Sequence, residues 1–193
     1  MANKKKTLPV FVLLALLQLY VPAKMILDRE DILHSGKEYK FKTQPIDPND
    51  PFRGKFIALY YEEAVVEIQS EADWLPGERI FVILTTDKDG FAKAHGLSKE
   101  YPADNQDFLK ARVGWVTDNG TNMLTIEYPF DRYYMEESKA YDAELAYLES
   151  QVDSTQTAYA VVGIKEGEAV LKEVLINEVP IEEIVLNKRK NQK

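Results

Sequence analysis

A run of apolar side chains near the start of the chain constrains its fold more than any other feature. Residues 8–23 carry no charge, and residues 25–27 extend the apolar surface beyond Lys24. About 20 such residues span the hydrocarbon core of a bilayer, and a lysine at the end of the span keeps its charge among the headgroups. The segment therefore predicts an uncleaved signal anchor, a transmembrane helix within residues 1–27.

The lysines before this segment predict its orientation. Lys4, Lys5 and Lys6 precede the apolar run, and basic flanks remain on the cytoplasmic side. We therefore expect a single-pass membrane protein with a cytoplasmic N-terminus and an extracytoplasmic remainder. One alternative is a cleaved signal peptide that ends at residues 21–23, although Pro22 beside that cleavage point favours the anchor. The other alternative is a buried core helix.

Charge and composition exclude several classes of function. The chain carries 24 basic and 32 acidic residues. Seven of the basic residues lie in the two tails, residues 4–6 and 188–193, so 17 bases face 32 acids in between. Such an acidic body repels phosphates, and we expect no nucleic-acid partner. The chain has no cysteine, which excludes disulfides, thiolate metal sites and a cysteine nucleophile.

Strand patterns dominate the chain after the anchor. Residues 28–36 are polar and predict a linker between the anchor and the domain. Residues 38–43 alternate polar and aromatic side chains, as a half-buried strand does. Residues 44–52 contain three prolines and predict an extended loop. Residues 56–68 then predict one long strand. Three hairpins follow at residues 79–95, 112–128 and 159–176, each turning through a glycine that accepts the backbone of a tight turn.

A single helix is predicted among these strands. Ser138 caps its start, and Tyr141, Leu145 and Leu148 recur at helical spacing to form one apolar stripe. We predict a mainly β fold: an antiparallel β-barrel or curled sheet with one packed helix, preceded by the transmembrane helix. The extracytoplasmic β-rich domain is expected to cover residues 28–187, and the C-terminal basic tail follows it.

The chain offers no clear catalytic, metal or cofactor site, and we predict none. His34 and His95 are its two histidines, and neither has a second ligand at metal-binding spacing. Two enzymatic alternatives stay open. Ser35 with Lys40 or Lys55 as its base would make a signal-peptidase-like hydrolase. A pair of carboxylates would make an acid–base hydrolase that acts on envelope material, and its candidates are Glu136, Glu137, Asp142 and Glu144.

The middle of the chain resembles a family signature that reads Gly-Asp-Tyr-x-x-Leu-x-Tyr. Gly54 matches its first position, and Leu59 and Tyr61 match its Leu and final Tyr. A Lys-Phe pair stands where the signature has Asp-Tyr. A preceding Pro-Ile-Asp-Pro and an Arg-Gly step complete the match. We call residues 53–61 the signature segment.

A second stretch, residues 128–137, resembles the Arg-Tyr-Phe-x-x-Glu segment that the same family carries ahead of a helix. The order of elements is also similar, so the chain resembles the GDYXXLXY family of uncharacterised bacterial membrane-anchored proteins over most of its length. The resemblance implies an anchored β domain without an assigned reaction. Members of the family look like companions of multi-pass membrane proteins, so the resemblance implies such a partner.

These two segments and the loop before them supply the candidate binding surface. Its residues are Asp47, Asp50, Arg53, Gly54, Tyr61, Arg132, Tyr133, Tyr134 and Glu137. Our leading hypothesis is a non-enzymatic accessory or binding module for a membrane-protein partner. Beside the hydrolases, a further alternative is a module that binds a small envelope ligand inside the barrel, in a pocket lined with the strand aromatics.

Overall fold

The computed structural model describes residues 4–44, 56–70, 73–103, 105–117, 122–152 and 155–191. In this part of the chain the α-helices are α1 (Lys4–Ser35), α2 (Glu137–Val152) and α3 (Ile181–Asn191). The strands are β1 (Lys37–Lys42), β2 (Phe56–Ala58), β3 (Val65–Glu67), β4 (Arg79–Thr86), β5 (Ala92–Ser98), β6 (Phe108–Thr117), β7 (Met123–Glu127), β8 (Arg132–Tyr134), β9 (Ala158–Lys165), β10 (Glu168–Ile176) and β11 (Val179–Pro180).

The strands curl around one core. One sheet has the order β1-β9-β10-β11, another has the order β3-β7-β6-β4-β5, and β2 pairs with β8 alone. Two isolated parallel bridges, Lys40 with Phe91 and Leu109 with Gly167, join the two larger sheets. Strands β1, β9, β10, β6, β4 and β5 therefore surround the core in that order. The predicted mainly β, curled-sheet fold is confirmed.

Alternation along the strands places the core inside this curl. In β4, Ile80, Val82 and Leu84 are buried while the residues between them are only half-buried. In β6, Leu109 and Ala111 are buried in the same way. Because successive side chains of a strand point to opposite faces, the buried set faces inwards. Strand β9 is buried along nearly its whole length, since β1 and β10 flank it and helices α1 and α2 contact it.

The single long strand predicted for residues 56–68 is wrong. The chain forms β2, a short 3-10 helix at Glu62–Ala64 and then β3. Glu63 holds this turn in place, because its carboxylate accepts a hydrogen bond from the amide of Ala94 at 3.1 Å and one from Lys93 Nζ at 2.6 Å. Both partners lie about 30 residues away, so the local pattern of apolar residues contains no sign of the break.

Helix α2 is where the sequence predicts a helix, but it packs through a different face. Tyr141 is 59% exposed and Leu145 is also exposed, although both belong to the predicted apolar stripe. The buried side chains are instead Ala140, Ala143 and Tyr147. This face, with its small alanine side chains, packs against α3, β2 and β9, and Tyr141 and Leu145 remain on the outside.

Helix α3 is not predicted by the sequence analysis, which expects one packed helix. Ile181 and Val185, one turn apart, are fully buried. Residues 188–190, expected in a basic tail, form the last turn of α3, where cations suit the helix dipole. Arg189 Nε donates to Asp142 Oδ2 on α2 at 2.6 Å. The helix has only eleven residues, close to the shortest length at which an apolar pattern separates a helix from a strand or loop.

Helix α1 is continuous over 32 residues, about 48 Å at 1.5 Å per residue. The predicted linker at residues 28–36 is therefore helical as far as Ser35. Large apolar side chains are exposed around the whole circumference of the helix; adjacent Leu13 and Leu14, for example, are 68% and 53% exposed. Among the described residues, this helix is the one long and apolar enough to cross a membrane.

The last turns of α1 are fixed to the hairpin formed by β9 and β10. Arg29 Nη1 donates to the carbonyl oxygen of Ala169 at 2.9 Å, and Ile32 is buried. Lys165 Nζ donates to Asp31 Oδ2 at 2.7 Å. We call this set of interactions the stem contact. It joins the helix to the sheet on several sides, so the direction of α1 sets the orientation of the domain.

Two glycines permit the stem contact. The amide of Gly36 donates to the carbonyl oxygen of Ile32 at 2.8 Å. A Cβ atom at Gly36 would lie 2.5 Å from that oxygen, and one at Gly163 would lie 3.1 Å from it. A side chain at Gly36 would therefore clash with this carbonyl, and one at Gly163 would press tightly against it.

We expect Gly36→Ala to destabilise the domain by about 1–3 kcal/mol, the usual cost of forcing extra atoms into a close contact. The melting temperature of the detergent-solubilised protein, followed by circular dichroism, measures the effect at about 2–4 °C per kcal/mol. Gly96→Ala is the matched control, because a Cβ at Gly96 meets nothing within 4 Å. Equal melting temperatures for the two variants would contradict the close approach.

Candidate functional site

The Leu and final Tyr positions of the signature segment lie in the core. Leu59 and Tyr61 are 3% and 2% exposed. Tyr61 Oη donates to the carbonyl oxygen of Phe130 at 2.7 Å, and burial raises the pKa of Tyr61 well above its ordinary value. Its ring meets those of Phe41, Tyr128 and Phe130 at centroid distances of 5.7, 5.7 and 5.3 Å. The final Tyr of the signature is therefore an anchor of the fold.

The structure brings the two family-like segments together. Strands β2 and β8 are antiparallel neighbours, with Phe56 opposite Tyr134 and Ala58 opposite Arg132. The Arg132 guanidinium lies 5.0 Å from the centre of the Phe56 ring, and the rings of Phe56 and Tyr134 are 5.5 Å apart. Tyr133 Oη donates to a carboxylate oxygen of Glu182 on α3 at 3.2 Å.

The predicted surface residues thus differ in their exposure to solvent. Arg132 and Tyr134 are exposed side by side on β8, whereas Tyr61 is buried. Glu137 is the first residue of α2. The loop candidates lie outside the described residues, and they are Asp47, Asp50, Arg53 and Gly54.

A cleft opens where β6 and β10 separate. Leu109 with Gly167 is the one bridge between these strands among the described residues, and the amide of Lys110 donates to the carbonyl oxygen of Gly167 at 2.9 Å. Beyond this bridge the two strands border a cleft of about 1250 Å³. Residues of β2, α2 and the base of α1 form its other walls. We call it the β6–β10 cleft.

The β6–β10 cleft has a closed floor and accessible apolar walls. Ile57, Ile80 and Tyr147 border it but are almost fully buried, so the floor is the outer layer of the core. The apolar side chains that remain accessible in its walls include Phe56, Ala58, Ala64, Val65, Phe81, Pro129, Leu148 and Val152. A ligand would therefore rest on the core rather than replace part of it.

The charges around the cleft are nearly balanced, unlike those of the chain as a whole. Five basic and four acidic residues line it, compared with 24 and 32 in the full sequence. Lys110 Nζ pairs with Glu168 at 3.0 Å beside the bridge. Burial raises the pKa of Glu144 in the α2 wall, because a low-dielectric site disfavours its charged form. Arg29 lines the cleft from the base of α1.

Sequence reasoning misses this cleft because its residues come from distant parts of the chain. Arg29 falls in the segment that was expected to be a linker. The continuation of α1 beyond the apolar run is the signal that would have found it, since residues 28–35 contain neither glycine nor proline.

Ser35 has a lysine neighbour that the sequence analysis does not name. Its Oγ accepts a hydrogen bond from Lys165 Nζ at 2.9 Å. Lys165 is also paired with Asp31, and the hydrogen bond from Lys165 lowers the pKa of that carboxyl. A serine nucleophile needs a neutral lysine as its base, whereas a carboxylate partner favours the charged lysine. Ser35 and Lys165 therefore belong to the stem contact.

Three of the other candidate catalytic groups have structural partners, among them Asp142, which pairs with Arg189 at 2.6 Å. Lys40 Nζ lies 5.3 Å from the centre of the Tyr159 ring, and Lys55 lies outside the described residues. Glu136 pairs with Lys139 at 2.8 Å. Among the described residues, no cluster of three or more histidine, cysteine or acidic residues could hold a metal ion.

The fold and the cleft define a class of protein: a curled β domain fixed to an N-terminal helix of membrane-spanning length. The family described as GDYXXLXY protein matches residues 18–174, from the second half of α1 to β10. The chain belongs to this family. No curated protein and no solved structure matches it.

The same substitution at two buried tyrosines is expected to have opposite effects. Tyr61→Phe leaves the carbonyl oxygen of Phe130 without its hydrogen bond, at a cost of about 1–3 kcal/mol. Tyr147 Oη is buried without a hydrogen-bond partner among the described residues, while the neighbouring Thr43 hydroxyl already donates to Ala158 and accepts from Gln151. Tyr147→Phe should therefore be neutral or stabilising. Urea unfolding of both variants measures the difference, and an equal loss of stability would contradict it.

Alkaline pH should destabilise the domain through its buried tyrosines. Burial raises the pKa of Tyr147 to about 12 and raises that of Tyr128 further, whereas an unfolded tyrosine ionises near 10. Above pH 10 the unfolded chain binds fewer protons than the folded one, so stability falls as pH rises. Tyr147 alone lowers the free energy of unfolding by about 1.4 kcal/mol per pH unit between about pH 10 and 12.

Urea unfolding between pH 8 and pH 11.5 measures this dependence. Tyr147→Phe should reduce the slope above pH 10 by the contribution of one tyrosine, and it should leave the region between pH 8 and 9 unchanged. An identical slope in the variant would show that Tyr147 titrates normally in the folded state.

Proposed function

We propose that this chain is a membrane-anchored, non-enzymatic accessory module. Helix α1 crosses the bilayer once with residues 4–6 in the cytoplasm, and the β domain binds a membrane-protein partner outside. The basic residues before the apolar run support this orientation. The extracytoplasmic part of the chain is the β-rich domain, which we place within residues 28–187.

The observation that carries the proposal is the combination of an exposed helix and a fixed stem. The apolar side chains of α1 are exposed on all sides, so they require an apolar environment that the domain does not supply. Arg29, only two residues after Leu27, already contacts the domain. The domain is therefore held directly at the end of the apolar segment, within reach of the outer parts of another membrane protein.

Strands β2 and β8 offer the contact surface for that partner. Tyr134 is 63% exposed, and Arg132 lies beside it over the Phe56 ring. Exposed tyrosine and arginine side chains held by neighbouring rings are typical of residues that dominate binding energy in protein interfaces. Both strands belong to the family-like segments, which is a second reason to place the contact here.

Cysteine labelling tests the membrane topology, because the natural chain has no cysteine. A membrane-impermeant maleimide should label Lys88→Cys, at an exposed hairpin turn, in sealed right-side-out membrane vesicles. Ala2→Cys should react only after the vesicles are opened. The reverse pattern, or a soluble protein that begins at Lys24, would overturn the proposed anchor.

Affinity purification from solubilised membranes tests the partner. We expect one multi-pass membrane protein at a reproducible ratio, with its recovery lost in Tyr134→Ser. Trp115→Ser is the matched control, since Trp115 is an equally exposed aromatic residue on β6. Recovery of a monomer without a reproducible companion, or equal recovery from both variants, would count against the partner surface.

A further inference from the structure

The β6–β10 cleft begins where the apolar segment of α1 ends. Leu27 is the last residue of the exposed apolar run, and Arg29 lines the cleft while donating to Ala169, which also lines it. One end of the cleft therefore lies within about 3 Å of helix rise from the end of the apolar segment, at 1.5 Å per residue. A group that leaves the outer leaflet beside α1 meets this end of the cleft first.

The walls of the cleft suit a long apolar group. Leu148 and Val152 of α2 face the cleft together with Phe56 and Ala58 of β2. The apolar walls extend from the base of α1 to residues near the far end of β1, where Gln44 lines the cleft. The volume of about 1250 Å³ exceeds that of ordinary small-molecule pockets, which is about 300–1,000 Å³. Such a site accommodates a flexible chain better than a compact polar metabolite.

The charge beside the membrane end of the cleft suits an anionic headgroup. Arg29, Lys110 and Arg112 all line the cleft. Lys110 has an acidic partner in Glu168, whereas Arg29 donates to a backbone carbonyl, a bond that does not neutralise its charge. Guanidinium groups bind phosphate oxygens with charge-assisted hydrogen bonds. Two basic side chains, Arg29 and Lys110, therefore stand beside Glu168 at this end of the cleft.

We propose that the β6–β10 cleft holds an acyl chain of a membrane lipid with an anionic headgroup, and that Arg29 binds the headgroup phosphate. The inference rests on the proposed membrane anchoring of α1. It adds a ligand class to the accessory module and assigns Arg29 a role that the family signature does not contain. Lipid in the cleft would cover the accessible side chains of β2 and α2.

Native mass spectrometry of the full-length protein in mild detergent tests this inference, with phosphatidylglycerol or phosphatidylcholine added as probes. Wild-type protein should retain phosphatidylglycerol in preference to phosphatidylcholine. Leu148→Glu introduces a charge into the apolar wall and should abolish retention of both lipids. Leu145→Glu is its matched control on the same helix, because Leu145 is exposed outside the cleft.

A second pair of variants tests the headgroup contact. Arg29→Gln should weaken retention of phosphatidylglycerol about tenfold, the effect of losing one charge-assisted bond. It should weaken retention of phosphatidylcholine less, because the choline ammonium already offsets the charge of that phosphate. Lys24→Gln is the control, since Lys24 pairs with Asp28 and does not line the cleft. Equal retention of lipid by all four variants, no retention by wild type, or a bound peptide in place of lipid would overturn the inference.

Membrane fractionation of the same variants separates this inference from the proposed function. Protein that stays in the membrane but retains no lipid in the cleft would contradict the lipid site alone. Protein that fractionates as soluble would contradict the anchor, and the lipid site with it.

Discussion

The stem contact is the interaction on which the rest of the structure depends. An exposed apolar helix on a flexible tether would leave the β domain free to tumble above a membrane. Here the helix continues without a break to Ser35, Ile32 is buried against the sheet, and Gly36 and Gly163 let the backbones approach. The helix and the curled sheet therefore act as one body. The bridge between β6 and β10, and hence the entrance to the cleft, lies beside this contact.

The family signature contributes to the same architecture from the other end of the domain. Tyr61 lies in a cluster of four aromatic rings, and Leu59 is buried beside it. The exposed part of the family-like sequence is on β8, where Arg132 and Tyr134 flank the ring of Phe56. A signature can thus combine residues that hold the fold with neighbours that present a surface. The position in the motif does not distinguish these roles, because both follow from whether a side chain faces the core or the solvent in the folded chain.

The contrast between α2 and α1 shows how far periodicity can be trusted. In α2 the spacing of Tyr141, Leu145 and Leu148 predicts a helix correctly and its packing face incorrectly. Large apolar residues give the stronger pattern, yet the alanines lie on the buried face. In α1 the apolar run predicts a long helix correctly, but its polar continuation is helical and not the expected linker. The stabilising contacts of that continuation, from Arg29 to Ala169 and from Lys165 to Asp31, join residues more than 130 positions apart.

By itself the sequence determined the apolar helix, the strand-rich domain, most hairpins and the family, because these depend on local composition, short-range alternation and motif spacing. Only the tertiary structure decided the break at Glu62–Ala64, the burial of Tyr61, the packing of α3 and the β6–β10 cleft. Each of these results from side chains that meet across the curl of the sheet. These contacts depend on how the strands pair and where the helices dock. A linear pattern of apolar and polar residues does not encode which distant side chains come into contact.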